Sequence, residues 1–333
     1  MRTVTTLPSA TETVAALGRD PVGVSHECDY PPAAASAPAV TRSRIDIDES
    51  ASSAEIDRQV LETDDTEAGV YDIDIETLDA LEPDVIVTQG MCDVCAVDVA
   101  GIEDAVDRIG ADPEIVTTDP HRVGDILGDI ERIGRAIGRE KRARELRRDL
   151  ESRIEAVRSR TADIAAEDRP RVAIFDWTEP VMVAGHWTAE LVDWAGGEYG
   201  LADAGDRSCP REWDAIRAYD PEVVLAAPCG FALAQTARNT TDLTERDGWS
   251  DLTAVQKGRV WAMDGDHYLN RPGPRLVDTL EALAPIVQPA LFDGPAADIA
   301  VPFADLETLG SKTDPDDDPR VDAASRAEID SHL

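Results

Sequence analysis

The sequence predicts an α/β protein with two Rossmann-like α/β lobes bridged by a long rigid helix. One observation is a helical segment over residues 120–167, where apolar residues recur at every third or fourth position. The other is a repeated unit, because IETLDALEPDVIVT and WDAIRAYDPEVVLAA each combine a helix, a proline between acidic residues, and an apolar strand. One such unit lies on each side of the helical segment. We therefore expect a ligand cleft between the two lobes.

The first lobe is predicted to contain the strands RTVTTL, PVGVS, DVIVTQ and EIVTTD and the helices ATETVAAL, IETLDALEPD and GIEDAVDRIG. Ser9 is the expected N-cap of the first of these helices. The second lobe is predicted to contain the strands RVAIFDW, EVVLAAP and RVWAMD and the helices AELVDWAGG, WDAIRAYD and RLVDTLEALAPIVQPAL. Between the lobes, Gly138 favours two helices placed end to end, because glycine is a poor helix former.

These elements divide the chain into four parts. We expect an N-terminal α/β lobe over 1–120, a connecting backbone helix over 121–167, a C-terminal α/β lobe over 168–292, and an acidic tail over 293–333. The tail is predicted to be disordered, since its sequence is acidic, contains prolines and is poor in large apolar residues.

The charge of the chain restricts its partners. It has 68 acidic and 32 basic residues, a net charge of −36, so nucleic acid is excluded as a partner by repulsion of its phosphates. No apolar run approaches the ~18 residues of a membrane span, so no membrane insertion is expected. We interpret the dense carboxylate surface as a halophilic adaptation to a high-salt medium.

The start of the chain and its cysteines bear on its location. The sequence begins MRTVTTLPSATE, without the charged and apolar regions of a signal peptide. It has five cysteines, an odd number that excludes a full disulfide framework. We expect a cytoplasmic location for the sequence as written, and an extracytoplasmic location if the true start lies upstream.

Several motifs resemble one family in their order along the chain. TLPSATETVAALG, PVGVSHECDYPP and LEPDVIVT, followed by the connecting helix and GRVWAMDGDHYLNRPGPR, resemble the helical-backbone (class III) substrate-binding proteins of ABC importers over roughly residues 2–292. Within that class the sequence is most similar to the vitamin B12 (cobalamin) binding proteins. The resemblance implies a non-enzymatic protein that holds cobalamin, a corrinoid or another metal chelate in the interlobe cleft and that works with an ABC permease.

The resemblance also implies particular contacts. An aromatic residue in the loop after the second strand contacts the corrin in this family, and Glu27 stands at that position here, with Tyr30 nearby as a replacement. A second ligand-contacting stretch corresponds to Asp266, His267, Tyr268, Leu269 and Asn270. The acidic residue that docks onto the permease corresponds to Asp98 or Glu103 in the first lobe. We further expect Ser9 and Trp187 to line the cleft walls.

The cysteines support a separate hypothesis. Ligands of open α/β sheets lie beyond the carboxyl ends of the strands, and Cys28, Cys92, Cys95 and Cys229 all follow predicted strands. With His267 they have the ligand types of a soft-metal site, or of contacts to the cobalt of a corrinoid. The CxxC pair Cys92 and Cys95 is also compatible with redox use, and all four thiols with a purely structural role.

The chain lacks the common enzyme signatures, including GxGxxG after a strand, the Walker loop, GxSxG and HExxH. A binding protein is therefore the first hypothesis. The alternatives are an iron-siderophore or haem binding protein on the same scaffold, and a cytoplasmic metal- or corrinoid-handling protein or enzyme that uses a cleft lined by cysteine and histidine.

Overall fold

The computed structural model describes residues 1–45, 51–64, 70–91, 96–97 and 99–306. The described chain forms two α/β lobes with separate sheets, which confirms the predicted fold class. Among the described residues, no helix combines the length and the apolar character that a membrane span requires.

The first lobe is built on a parallel sheet covered by helices. Its strands are β1 (Thr3–Thr5), β2 (Thr41–Ser43), β3 (Tyr71–Ile73), β4 (Val85–Gln89) and β5 (Glu114–Thr118), and its helices are α1 (Pro8–Ala16), α2 (Ser53–Asp64), α3 (Ile75–Ala80) and α4 (Val99–Val106). The parallel sheet has the order β1–β4–β5, while β2 and β3 form a separate antiparallel pair. All five residues of β4 are buried, as expected for the central strand of a sheet covered on both faces.

Two details of the first lobe depart from the sequence prediction. α1 begins at Pro8, the position where proline is favoured, and Leu7 takes the N-cap position instead of Ser9. The predicted strand PVGVS forms only isolated bridges, Val4 with Gly23 and Val24 with Ala39. Its polypeptide nevertheless runs beside β1 and leads into the loop that carries Glu27 and Tyr30.

The connecting segment is two helices that pack on each other, which corrects the prediction of one long helix or of two helices end to end. They are α5 (Val123–Ala136) and α6 (Glu140–Thr161). Gly138 lies between them with a φ of +67°, a conformation that glycine adopts readily. Glu131 and Arg147 form an ion pair of 3.2 Å across the break. A Cβ added at Gly134 would overlap the side chain of Ala143.

The two helices have different roles in the bridge. α5 packs against β5 and α1 of the first lobe, and its first residue, Val123, donates to Glu190 of the second lobe, whereas α6 extends along the second lobe and packs on its helices. The 22 residues of α6 span roughly 33 Å at ~1.5 Å per residue. The bridging helix is therefore about half as long as the whole predicted segment.

The second lobe contains a mixed six-stranded sheet. Its strands are β6 (Val172–Thr178), β7 (Val181–Val183), β8 (Cys209–Pro210), β9 (Val223–Ala226), β10 (Val260–Met263) and β11 (Ala300–Pro302), and its helices are α7 (Thr188–Trp194), α8 (Trp213–Tyr219), α9 (Leu233–Arg238), α10 (Thr241–Thr244), α11 (Thr253–Gln256) and α12 (Leu276–Val287). The order is β11–β10–β9–β6–β7–β8, with β6, β9 and β10 parallel. α12 packs on α6 and α7 and joins the second lobe to the bridging helix.

The C-terminal boundary also differs from the prediction. β11 pairs antiparallel with β10, and Leu306 is fully buried, so the ordered second lobe extends past 292. The apolar run AVPF is short and is flanked by acidic residues, which is why composition alone assigned it to the tail. Disorder of 307–333 stays a prediction, because those residues lie outside the described chain.

Candidate ligand-binding cleft

One region of contact between the two lobes is formed by segments that follow parallel strands. In the first lobe these are α1, which follows β1, and the loop over residues 25–31. In the second lobe a π-helical turn, Gly265–Leu269, follows β10 and leads into α12. Ligands of open α/β sheets bind at such carboxyl ends. The predicted cleft therefore lies between these segments, and we call its outer part the cleft mouth.

Arg271 is the central cation between the lobes. It is only 5% exposed, and it pairs with Glu12 Oε1 at 3.0 Å and Asp29 Oδ1 at 2.6 Å in the first lobe. Its other terminal nitrogen lies 3.1 Å from Asp266 Oδ1. Burial alone would lower the pKa of Arg271, but the carboxylates of Asp266 and Asp29 outweigh it and raise the pKa above its ordinary value. A buried guanidinium with these partners joins the lobes strongly.

His267 makes a second ionic bridge between the lobes. Its Nδ1 lies 2.7 Å from Asp264 Oδ2, and its Nε2 lies 2.7 Å from Asp29 Oδ2. Hydrogen bonds to Asp264 and Asp29 raise the pKa of His267 to about 10, so the imidazole is cationic at neutral pH. Burial opposes the ionisation of Asp29, yet hydrogen bonds from His267 and Arg271 hold its pKa well below the usual range.

Glu27 lies at the cleft mouth with its side chain open to solvent. Desolvation by the surrounding protein, and then the charge of Asp266, raise the pKa of Glu27 to about 7. The Tyr71 hydroxyl donates to Oε1 of Glu27 at 3.4 Å.

Two tyrosines and an arginine form an aromatic surface at the same mouth. The guanidinium carbon of Arg275 lies 4.2 Å from the ring centroid of Tyr30 and 5.2 Å from that of Tyr268. Tyr30 is 46% exposed, whereas Glu12, which anchors Arg275, is 3% exposed. A buried ion pair thus holds the guanidinium against which the two tyrosine rings lie.

Several predicted contacts are buried instead of lining the cleft. Trp187 is 4% exposed and Leu269 is 1% exposed, and the indole nitrogen of Trp187 donates to the carbonyl of Leu269 at 3.0 Å. Their side chains therefore belong to the core, where they hold the Gly265–Leu269 turn. The amide of Asn270 braces the same turn, because it donates to the carbonyls of Ala227 and Gly265.

Ser9 is also buried, at 6% exposure, and its Cβ lies 3.4 Å from the position that a Cβ would take at Gly273. It supports the segment that carries the two arginines. Of the predicted ligand contacts, the described chain therefore brings five to the cleft mouth: Glu27, Tyr30, Asp266, His267 and Tyr268.

The cysteine hypothesis is wrong for Cys28. That residue is 5% exposed, its sulfur lies 3.0 Å from Thr11 Oγ1, and burial raises the pKa of the thiol to about 11. A buried neutral thiol is a poor metal ligand. Cys229 is exposed, and Cys92 and Cys95 lie outside the described residues, so for these three a metal role stays a prediction.

Within the described chain, the group of side chains with metal-ligand spacing contains no cysteine. It consists of Asp29, Asp266 and His267. Sequence reasoning identified the last two but missed Asp29, Glu12 and the arginines. The available signal was RPGPR, where two arginines stand among glycine and proline directly after the predicted ligand-contacting stretch.

Two lobes, a bridging helix and a polar cleft that both lobes line define a solute-binding protein. Residues 4–267 match the model of the family described as periplasmic binding protein, and the chain belongs to that family. The resemblance to class III substrate-binding proteins of ABC transporters is thereby confirmed.

Individual relatives are distant. The chain is 24% identical over 228 residues to the uncharacterized ABC transporter substrate-binding lipoprotein YvrC of Bacillus subtilis (strain 168), covering 67% of this chain and 68% of that protein. Among solved structures, the apo periplasmic heme-binding protein RhuT from Roseiflexus sp. RS-1 has a TM-score of 0.65 and 23% identity, with coverage of 87% and 98%. The periplasmic vitamin B12 binding protein BtuF of Vibrio cholerae has a TM-score of 0.62 and 21% identity, with coverage of 87% and 97%.

Proposed function

We propose that this protein is the binding component of an ABC-type uptake system and that it holds a corrinoid, cobalamin, in the cleft between its lobes. The permease would be its protein partner. The fold supports a binding role, and similar folds are named for binding vitamin B12 in one case and haem in another. The choice between these ligands rests on the chemistry of the cleft mouth.

The observation that carries the proposal is an excess of carboxyl groups beside two tyrosines, the exposed Tyr30 and the partly buried Tyr268. Five carboxyl groups stand against three cationic groups at the mouth: Glu12, Glu27, Asp29, Asp264 and Asp266 against His267, Arg271 and Arg275. Each cation is already paired with a carboxylate of the protein. The mouth therefore has no free positive charge for an anionic ligand among the groups that form this network.

This charge balance favours cobalamin over haem and ferric siderophores. The peripheral side chains of cobalamin are mostly neutral amides, which donate to carboxylates and accept from guanidinium groups. Haem has two propionates, and many ferric siderophores are anionic, so the same carboxylates would repel them. The rings of Tyr30 and Tyr268 offer apolar contact to a macrocycle.

The test is a titration of the purified full chain with cyanocobalamin, haem and a ferric siderophore, followed by calorimetry and native mass spectrometry. High salt is required, since a net charge of −36 repels itself at low ionic strength. We expect one cobalamin per chain, bound at least about tenfold more tightly than haem, a difference of ~1.4 kcal/mol. Preferential binding of haem or of the siderophore would contradict the corrinoid assignment and leave the binding role intact.

Two variants test the location of the ligand. Tyr30→Ala and Tyr268→Ala should each weaken cobalamin binding by about tenfold, because an aromatic contact contributes ~0.5–1.5 kcal/mol beyond its buried area. Tyr219→Phe is the matched control, since its hydroxyl donates to the carbonyl of Glu198, away from the mouth. If all three variants bind cobalamin with the same affinity, the ligand does not contact Tyr30 or Tyr268 and lies elsewhere.

A further inference from the structure

Three potential metal ligands converge at the cleft mouth from both lobes. Asp29 comes from the first lobe, and Asp266 and His267 come from the second. One ligand atom from each of the three lies within 4.8 Å of the others.

Neighbouring groups fix the orientation of all three side chains. Arg271 holds Oδ1 of Asp29 at 2.6 Å and Oδ1 of Asp266 at 3.1 Å, which leaves the Oδ2 atom of each carboxylate directed elsewhere. Asp264 holds Nδ1 of His267 at 2.7 Å. The atoms that remain converge, because His267 Nε2 lies 2.7 Å from Asp29 Oδ2 and 3.6 Å from Asp266 Oδ2.

These separations suit a small divalent cation. Bonds of ~2.0–2.2 Å from imidazole nitrogen and carboxylate oxygen to Zn²⁺ place neighbouring ligand atoms roughly 3–3.5 Å apart. The two distances from Nε2 bracket that range, so small side-chain movements suffice. Asp264 binds the Nδ1 atom of His267, and Arg271 binds the Oδ1 atoms of the two aspartates, so both hold atoms that do not face the ion. Hydrogen-bonding partners of this kind orient the ligands of metal sites.

The imidazole distinguishes this group from an ordinary acidic surface cluster. Imidazole with two carboxylates is a ligand set for first-row divalent metals such as Zn²⁺ and Mn²⁺. The imidazole is cationic at neutral pH, so an ion binds by displacing the proton of Nε2. With the imidazole then neutral, Asp29, Asp264 and Asp266 against Arg271 leave a net charge of −2, which a divalent ion neutralises.

We propose that Asp29, Asp266 and His267 form a site for a first-row divalent cation that ties the two lobes together. The ion takes the position between Nε2 and the two Oδ2 atoms, and the remaining coordination positions are open to water or to a donor atom of a bound molecule. This site does not rest on the corrinoid assignment, because it needs only side chains of this chain.

The experiment uses the full chain, stripped with a chelator and titrated with Mn²⁺ alone in high salt. Mn²⁺ is the probe because thiolates compete for it less than for Zn²⁺, and high salt suppresses diffuse binding to the acidic surface. We expect one saturable ion per chain, followed by the electron paramagnetic resonance signal of free Mn²⁺. His267→Gln and Asp29→Asn should each weaken binding at least tenfold.

His121→Gln is the matched control, because His121 also pairs with an aspartate, Asp119, at 3.3 Å but lies outside the group. The Mn²⁺ affinity of the His121→Gln variant should equal that of the wild type. If the cleft variants do not fold, a measurement on the unaltered protein replaces them. Bound Mn²⁺ should broaden the ring proton signals of His267 far more strongly than those of His121, because the broadening falls steeply with distance from the ion. Non-saturable binding, or a site lost with His121 and not with His267, would overturn the proposal.

Discussion

Asp29 Oδ2 lies 2.7 Å from His267 Nε2, and this contact joins the two lobes across 238 positions of sequence. Both residues have further partners, since Asp29 also binds Arg271 and His267 also binds Asp264. The lobes therefore meet through a network of charges at the cleft mouth.

The Asp29–His267 contact should make stability depend on alkaline pH. The pKa of His267 is raised from 6.5 to about 10, so its stabilising effect is complete below pH ~6.5 and is lost as the pH rises through ~10. In chelator-treated protein, His267→Gln should lower the free energy of unfolding by about 2 kcal/mol at pH 6 and by little above pH ~10. Urea unfolding of the wild type and the variant at pH 6 and above pH ~10 measures this difference in stability. A loss that does not change with pH would show that the charge of His267 does not stabilise the fold.

Substitution of Arg271 should lower the free energy of unfolding more than substitution of most other charged residues. Arg271→Met leaves Asp29 and the buried Glu12 without their shared cation, and we expect a loss of about 3–5 kcal/mol in the free energy of unfolding. Arg217→Met is the control, since Arg217 forms an exposed pair with Asp214, and this substitution should cost at most about 0.5 kcal/mol. Similar small losses in both variants would refute a structural role for the Arg271 network.

Glu27 should weaken the fold at neutral pH and above. Its pKa rises from 4.5 to about 7 on folding, so folding takes up a proton, and the penalty develops between those two values as the pH increases. Glu27→Gln should therefore be nearly neutral at pH 4.5 and stabilising by about 1 kcal/mol at pH 8, a value reduced for the solvent exposure of the side chain. Thermal melts at both pH values test this, and a variant that is stabilised equally at both would contradict it.

The thiols should differ in reactivity. Cys28 is buried with a pKa near 11, whereas Cys229 is exposed, so iodoacetamide at pH 8 should label Cys229 and spare Cys28. Mass spectrometry of the labelled peptides locates the modification. In denaturant both residues should react, which controls for peptide detection. Rapid labelling of Cys28 in the native protein would mean that its site opens to solvent.

Two glycines of α5 test how the connecting helices pack. A Cβ at Gly134 would overlap Ala143 of α6, so Gly134→Ala should destabilise the protein by about 1–3 kcal/mol. Gly128 has no atom within 4 Å of its added Cβ, so Gly128→Ala should stabilise the helix by about 0.5–1 kcal/mol. The denaturant concentrations at the midpoint of unfolding compare the stabilities of the two variants. Stabilisation by both substitutions would argue against close packing of α5 on α6.

The sequence by itself determined the fold class and the most strongly patterned elements. β4 and β9 follow from their apolar runs, because a strand buried on both faces is rich in apolar residues along most of its length. α5 follows from its three-and-four periodicity, since one face of that helix is buried. The repeated helix–strand unit on each side of the connecting segment predicted two lobes. These signals are local, and each is contained within about twenty residues.

Only the tertiary structure decided which side chains meet. Arg271 contacts Asp29 from 242 positions away and Glu12 from 259, and no local pattern encodes such pairs. The same packing buried Cys28 beneath α1, although its position after a predicted strand suggested the cleft. It also folded α6 back against α5, because Gly138 permits a sharp turn and Gly134 allows close approach. Burial and charge at the cleft depend on how the lobes dock, and the periodicity of a single element has no information about that docking.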